Sequence, residues 1–416
     1  MENIKNKSLD IRYACIHGFY WMICCSMIGY ASVFLLDKGF SNAIIGIVLS
    51  VSNILAVVGQ PALAAYMDKT TKLSLRMLIS IILVAIIVLS LLLVFIGGTS
   101  ALMIGLVIVV FTLMLVIQPF INSLTFAFEK QGIHINFGLA RGLGSVAYAV
   151  ISLLLGNIVN QYSPEVLPFF YVGLSLCLLG FVYTFFLPSD KKVENKPETI
   201  KEEKPVQEKV SMIEFFKKYK KFMVLLAATV LLFFDHSLIN NFFIQVIKQI
   251  GGNPSDMGNA IFLAAMLELP TMALFSKFQS KIGCKKMLMI SAVFFSAKHI
   301  LTYFAMNMMM IYMAQVLQMF AYAIFIPATV YYIGELVDEH DLVKGQALMT
   351  GAMTLSSVFA SLAGGVLLDS LGVTTVLLIG AIVSVLGTIL AFTSIEDVDN
   401  RVKESWLCVK SGGGSN

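Results

Sequence analysis

Twelve stretches of 18 or more mainly apolar residues recur along this chain, and they constrain it more than any motif does. They lie near 11–36, 41–67, 74–97, 101–128, 137–159 and 166–187, then near 222–248, 256–276, 286–306, 308–334, 343–368 and 374–395. A run of that length is what a helix needs to cross the hydrocarbon core of a bilayer. Twelve such helices of roughly 20 residues need about 240 residues, and 58% of the 416 residues are apolar, about 241. Charged residues make up only 13%, against roughly 25% in soluble domains, too few to clothe a soluble surface. These features exclude a soluble globular enzyme, a secreted disulfide scaffold and a disordered protein. The net charge of +4 is small and dispersed, which argues against nucleic-acid binding. The expected class is an all-α membrane protein with twelve transmembrane helices.

The cysteines and termini agree. Cys15, Cys24, Cys25 and Cys177 lie inside apolar stretches, Cys284 beside a basic loop and Cys408 in the tail. None has metal-ligand spacing, so free thiols and no cofactor are expected. Met1 to Arg12 is polar, and the run after it is longer than a signal-peptide core and lacks a small-residue cleavage pattern, so it reads as the first span. The closing Ser411-Gly-Gly-Gly-Ser-Asn416 has linker composition.

The polar segment 188–221 separates the two sets of six runs and has no apolar period until its basic amphipathic end. The division expected is a six-helix bundle over 1–187, a linker over 188–221, a second bundle over 222–400 and a tail over 401–416. Of the 29 Lys and Arg residues, 25 fall in loops and termini on one side, Lys38 and Lys248 on the other, and Arg141 and Lys298 inside spans. The positive-inside rule then puts both termini and the linker in the cytoplasm, with the chain in the cell membrane. Six plus six spans around a long linker resembles the major facilitator superfamily, whose halves are parallel repeats that bind substrate near the midplane. The loop after span 2, Ala64-Ala-Tyr-Met-Asp68-Lys69, resembles that superfamily's G-x-x-x-D-[RK] signature with Ala64 in place of Gly, although a short basic loop reads the same way. The corresponding loop after span 8, Ser276 to Lys281, has no Asp.

Four ionisable residues interrupt the spans: Arg141, Asp235, Glu268 and Lys298. Each costs ~2.5–3.5 kcal/mol at a helix centre, so four unpaired charges would cost roughly 10–14 kcal/mol. Their formal sum is zero, which favours pairing or a shared wet cavity. The plainer alternatives are ion pairs that only join helices, and an Arg141 that snorkels to the surface. Polar residues also fall in stripes: Gln118, Asn122, Thr125 and Glu129 in span 4, Arg141, Ser145 and Tyr148 in span 5, Gln315, Gln318 and Tyr322 in span 10, and His17, Tyr20, Trp21 and Cys24 in span 1. One stripe alone is as readily helix–helix glue. Four together suit a cavity, and aromatic faces with Arg, amides and carboxylates suit a hydroxyl-rich solute.

The segment Asn136-Phe-Gly-Leu-Ala-Arg141-Gly-Leu-Gly-Ser145-Val-Ala-Tyr148 resembles the span-5 motif of the oligosaccharide–proton symporter (lactose permease-like) family. In that family the Arg contacts sugar and an aromatic, usually Trp, stacks on the ring, a place Tyr148 fills here. Met266-Leu-Glu268-Leu269 resembles the span-8 segment whose Glu binds sugar and couples to the proton. Asp235 followed by Asn240-Asn-Phe-Phe243 resembles span 7, Lys298 stands where the family has an Arg, and Gln60-Pro61 fits span 2. The resemblance covers roughly 15–390. It implies substrate contacts from Arg141, Ser145, Tyr148, Asn122, Glu268, Gln318 and Asn240. It also implies proton coupling through Glu268, Asp235, Lys298 and His236, and a conformational role for Asp68 and Lys69. There are departures. Gln318 and Ala321 stand at the family's span-10 His and Glu, Leu232 and Ala352 lie near a missing Asp–Lys pair, and Asn122 replaces a sugar-binding Glu. Loss of both members of a pair leaves no lone charge.

The expected activity is proton-coupled symport of a sugar or related polyol-like solute by alternating access of two halves, in a monomer. A buried carboxyl favours its neutral form and a nearby cation its ionised form, so movement of Lys298 or Arg141 would switch Glu268. His236 and His299 read more simply as packed or hydrogen-bonded histidines. The rivals are a nucleoside or other small polar solute, efflux of amphipathic cations given 31 Phe and 22 Met residues, and a non-transporting membrane receptor. No catalytic triad, phosphate-binding loop or metal-ligand spacing argues for an enzyme.

Overall fold

The computed structural model describes residues 2–69, 73–125, 128, 135, 137–185 and 212–395, with side chains from Ser8 onward. Glu129, Asn136, most of the linker and the tail with Cys408 lie outside the described residues. Those described form helices and turns with no strand. In the N-terminal half these are α1 (Glu2–Cys24), α2 (Ala31–Asp37), α3 (Asn42–Lys69), α4 (Leu75–Phe95), α5 (Ala101–Val116), α6 (Gln118–Ser123), α7 (Phe137–Gln161) and α8 (Leu167–Thr184). The C-terminal half has α9 (Met212–Lys218), α10 (Lys220–Asn241), α11 (Phe243–Gln249), α12 (Pro254–Ala273), α13 (Phe275–Ile282), α14 (Cys284–Tyr303), α15 (Met308–Val316), α16 (Tyr322–Leu336) and α17 (Leu342–Ser394).

Helix covers most of the described part of each apolar stretch. By length and apolarity, 8 of the described helical segments can cross a membrane, or up to 10 when two bent pairs count as broken spans. The long α17 is two legs that turn at Gly372, whose φ of 76° suits a residue without Cβ. Lys286, Lys298 and His299 leave α14 less apolar than the segments counted as able to cross.

Four of the segments break near their middle, and the breaks fall at matching places in the two halves. The first relaxes into a π-turn over Cys25–Gly29 before α2. The fourth stops at Val116, where Pro119 removes a backbone donor and restarts the chain as α6. The seventh breaks at Phe242 (φ −120°, ψ 31°), after two asparagines whose side chains compete for backbone partners. The tenth passes through a 3₁₀ turn over Leu317–Met319 into α16, and no proline or glycine marks that break.

Glycines set how closely the halves approach. A Cβ on Gly46 would lie 2.1 Å from the Ser361 carbonyl oxygen, and one on Gly365 2.2 Å from that of Asn42. Across the other seam, a Cβ on Gly258 would lie 2.4 Å from the Ser152 carbonyl oxygen. Lipid supplies no hydrophobic drive between helices, so such small-residue seams do the joining through close packing. Both seams are at the end far from Arg12 and Ile395. There one apolar cluster runs across both halves, from Phe34 and Ile45 to Leu238 and Leu368. Toward the other end a second cluster, from Phe215 to Ile395, is confined to the C-terminal half. The molecule is joined at one end and divided at the other.

Candidate functional site

A cavity of about 280 Å³ lies between the halves, walled by residues at or beside three of the four breaks. On the N-terminal side, α7 presents Arg141, Ser145 and Tyr148 along one face. Arg141 Nη1 donates to Ser145 Oγ at 3.0 Å, and the guanidinium carbon sits 4.2 Å from the Trp21 ring centroid. Such a cation–π contact is worth ~0.5–2 kcal/mol. Trp21 meets Tyr148 edge-on at 6.4 Å. The cluster needs Gly144, because a Cβ there would fall 2.5 Å from Trp21 Cδ1. Arg141 faces the cavity over an aromatic ring, so snorkelling is not its arrangement.

On the C-terminal side three helical elements meet in a chain of side chains. Lys298 Nζ donates to Gln318 Oε1 at 2.5 Å, and Gln318 Nε2 donates to Glu268 Oε1 at 2.9 Å. An ammonium only donates and an ionised carboxylate only accepts, so a single amide orientation serves both. Lys298 and Gln318 are buried, 1% and 6% exposed. The 3₁₀ turn after α15 places Gln318 between the other two. Asn240 Nδ2 donates to His236 Nε2 at 3.0 Å, the role assigned from the amide geometry, and the His236 ring stacks on Tyr322 at 5.2 Å. Asn241, a wall residue, donates through Nδ2 to Ser361 Oγ at 2.7 Å.

The cavity thus gathers Arg141, Ser145, Tyr148, Glu268, Gln318, Asn240 and His236, with Lys298 one hydrogen bond behind. Two expected residues are elsewhere. Asn122 is half-buried beside Tyr13, whose hydroxyl donates to the Asn122 carbonyl at 3.3 Å, and is not on the cavity wall. Asp235 is fully buried behind the wall, against α14 and the second leg of α17. Asp68 and Lys69 are exposed at the end of α3. Of the polar stripe in span 1 only Trp21 reaches the cavity, while His17 packs edge-on against Tyr13 and Phe137 at 4.7 and 5.5 Å. Sequence reasoning overlooked Gly29, which lines the cavity where the π-turn ends. A glycine inside an apolar run was the available signal.

The cavity wall holds one carboxylate, Glu268, and one imidazole, His236. The described residues bring three metal-ligating groups together at Asp338, His340 and Asp341, in the loop before α17. There Asp341 already faces Lys218 at 3.6 Å and Lys344 at 3.2 Å, and Tyr219 donates to it at 3.1 Å. Cations of the chain itself fill that place.

A protein-family model described as the MFS_1 like family matches residues 11–379. Maltose permease of Geobacillus stearothermophilus is 25% identical over 362 residues, covering 86% of this chain and 87% of that protein. The uncharacterized transporter YwbF of Bacillus subtilis (strain 168) is 25% identical over 268 residues, 64% of this chain, and the match spans only 63% of its length. Among solved structures, the nucleoside transporter NupG superposes with a TM-score of 0.76 at 16% identity, covering 94% of this chain and 99% of that one. An inward-facing, unoccupied bacterial homologue of the human lysosomal transporter Spinster superposes at 0.64 with 12% identity, covering 94% and 96%. At those identities the likeness is one of fold.

Proposed function

The chain belongs to the MFS_1-like family of major facilitator transporters, and from that premise we propose that it is a proton-coupled symporter of a sugar or oligosaccharide. The observation that carries this reading is the cavity wall: an Arg–Ser–aromatic cluster from one half faces a Glu–Gln–Lys chain from the other. Aromatic rings pack on the apolar face of a sugar, and guanidinium and carboxylate groups bind its hydroxyls. In this reading Trp21 and Tyr148 take the ring, and Arg141, Asn240, Glu268 and Gln318 take hydroxyls.

Glu268 is the proton carrier in this scheme. When it is ionised it accepts from Gln318, and when it is protonated its O–H needs an acceptor. A neutral carboxyl holds the Gln318 amide more weakly than a carboxylate does, and Lys298 feels the change through the same side chain. Transport follows by alternating access of the bundles 1–187 and 222–400, through twelve crossings with both termini in the cytoplasm. The basic loops support that sidedness. The seams at Gly365 and Gly258 would then close the outer end of an inward-facing state. Asn122 enters the scheme only through rearrangement in another state.

The test is a solute panel on proteoliposomes with external pH recording. Addition of the right sugar should alkalinise the medium, and Glu268→Gln should abolish that signal. Sugar-driven proton uptake and counterflow that both survive Glu268→Gln would remove Glu268 from the role. A panel in which nucleosides move protons and sugars do not would replace the sugar reading, since the same aromatic rings stack on bases.

A further inference from the structure

Behind the cavity wall, Asp235 turns its carboxylate into the C-terminal half. It has 0% exposure, and neither oxygen has a hydrogen-bond partner among the described residues. The nearest ionisable atom is His299 Nδ1, 3.2 Å from Asp235 Oδ2. The same Nδ1 lies 2.8 Å from Ser384 Oγ, and His299 Nε2 has no partner. Gly380 makes this arrangement possible, since a Cβ there would fall 1.9 Å from Asp235 Oδ1. Three helical segments, α10, α14 and the second leg of α17, thus enclose a carboxylate, an imidazole and a hydroxyl away from the solute.

An ionised carboxylate enclosed without a donor is strongly disfavoured, and so is a lone imidazolium. One proton between the two groups removes both problems. With an O–H on Asp235 directed at His299 Nδ1, no net charge remains in the enclosure. Loss of that proton leaves one negative charge. The groups facing the pair are His236 on α10 and Lys298 on α14, with Tyr322 of α16 and Glu268 of α12 beyond them. The second leg of α17 contributes only hydroxyls, Ser384 and Thr388.

We propose that Asp235 and His299 form a second proton-binding site, distinct from Glu268 and enclosed within the C-terminal half. Each member adjoins a residue of the cavity system. Asp235 precedes His236, on the cavity wall, and His299 follows Lys298, the end of the Gln318–Glu268 chain. A proton gained or lost at the pair changes the charge one residue away from both. Its part in coupling rests on the symport reading above, but its existence does not.

The experiment is infrared pH-difference spectroscopy of the full-length protein in lipid, without solute. A protonated-carboxyl stretch should persist in Glu268→Gln and vanish in Asp235→Asn. His299→Gln should move its midpoint by at least tenfold in proton concentration. Aspartate-specific carbon-13 labelling of the unmodified protein identifies the same band should the Asn variant fail to fold. The proposal is overturned if no labelled band titrates, or if His299→Gln leaves the midpoint unmoved. Replacement of choline by sodium at constant ionic strength should leave the midpoint in place, and a shift would make this a sodium site instead. Because no solute is present, an unsuccessful solute panel leaves this result standing, and the reverse also holds.

Discussion

Asp369 caps the helix that begins at Asn42, from the opposite half of the molecule. Its Oδ1 accepts from the Asn42 backbone N–H at 3.1 Å and from Asn42 Nδ2 at 2.8 Å, while Oδ2 accepts from the Ala43 N–H at 2.8 Å. A carboxylate at a helix N-terminus satisfies free amides and opposes the helix dipole. Gln245 Nε2 adds a bond to Asn42 Oδ1 at 2.7 Å. Loss of a cap costs ~0.5–2 kcal/mol, a shift of about 2- to 30-fold in the population closed at this end. Asp369→Ala should therefore lengthen the distance between spin labels at Tyr162→Cys and Met306→Cys, one in each half. An unchanged distance distribution would show that the cap does not hold the end shut.

The glycine seam makes a stronger version of the same prediction. A Cβ on Gly258 meets backbone, the Ser152 carbonyl oxygen at 2.4 Å, and backbone cannot step aside as a flexible side chain can. Overpacking of this kind costs ~1–3 kcal/mol. Gly258→Ala should widen the same label pair by at least as much as Asp369→Ala and slow net transport. Compaction equal to that of the unmodified protein would count against the seam.

The amide between Glu268 and Lys298 is open to a stability test. Gln318→Leu keeps the bulk but leaves a buried ammonium without its acceptor, at a cost of ~1–3 kcal/mol or more. A lower melting temperature in detergent is expected, together with lost solute-driven proton uptake. Gln318→Glu restores an acceptor for Lys298 and should recover stability, but not uptake, because the new carboxylate repels Glu268 instead of donating to it. Full uptake in the Leu variant would mean that Gln318 links nothing.

Outside the spans, Lys218 is held above the ordinary lysine value by its hydrogen bond to Asp338 and the nearby Tyr219. A cation raised in this way gives its full stabilisation below the unfolded value of ~10.4 and loses it only as pH rises through the higher folded value. Docking of α9 should therefore not weaken through lysine titration between pH 7 and 9. Both groups are partly exposed, so the contact should instead weaken with salt. Hydrogen exchange of 212–221, corrected for intrinsic rate, would show both effects, and Asp338→Ala should speed exchange at either pH.

The apolar stretches were legible in the sequence because length and apolarity are local properties. The faces were legible wherever the helix stays continuous. Arg141, Ser145 and Tyr148 share a side of α7, as their spacing requires. The stripe from Gln118 through Asn122 assumes an unbroken helix, but α6 ends at Ser123, and the Asn122 backbone carbonyl accepts from Tyr13 away from the cavity wall. Asp235 and Asn240 are five residues apart, about 140° around a helix, so only Asn240 faces the cavity. What the sequence could not show is long-range. Nothing local says that Gly380 seats Asp235, or that Asp369 caps Asn42 more than 300 positions away. The two seams had left a small-xxx-small signal at Ser152/Gly156 and Ser361/Gly365, which becomes specific only once the facing helix is known.

Arg141 is where chemistry and position separate most cleanly. Its guanidinium bonds Ser145 and lies over Trp21, using the planar fork and delocalised charge that an ammonium lacks. Arg141→Lys keeps the charge in the cavity but loses the flat contact with the ring and the paired donors. Solute affinity should fall at least tenfold, whereas Ser145→Ala, which leaves the cation–π contact in place, should cost only a few-fold. Quenching of Trp21 fluorescence by the solute gives the readout, with Trp406 replaced to isolate the signal. If Arg141→Lys binds as tightly as the unmodified protein, a point charge suffices there, and the bidentate grip on hydroxyls has no part in recognition.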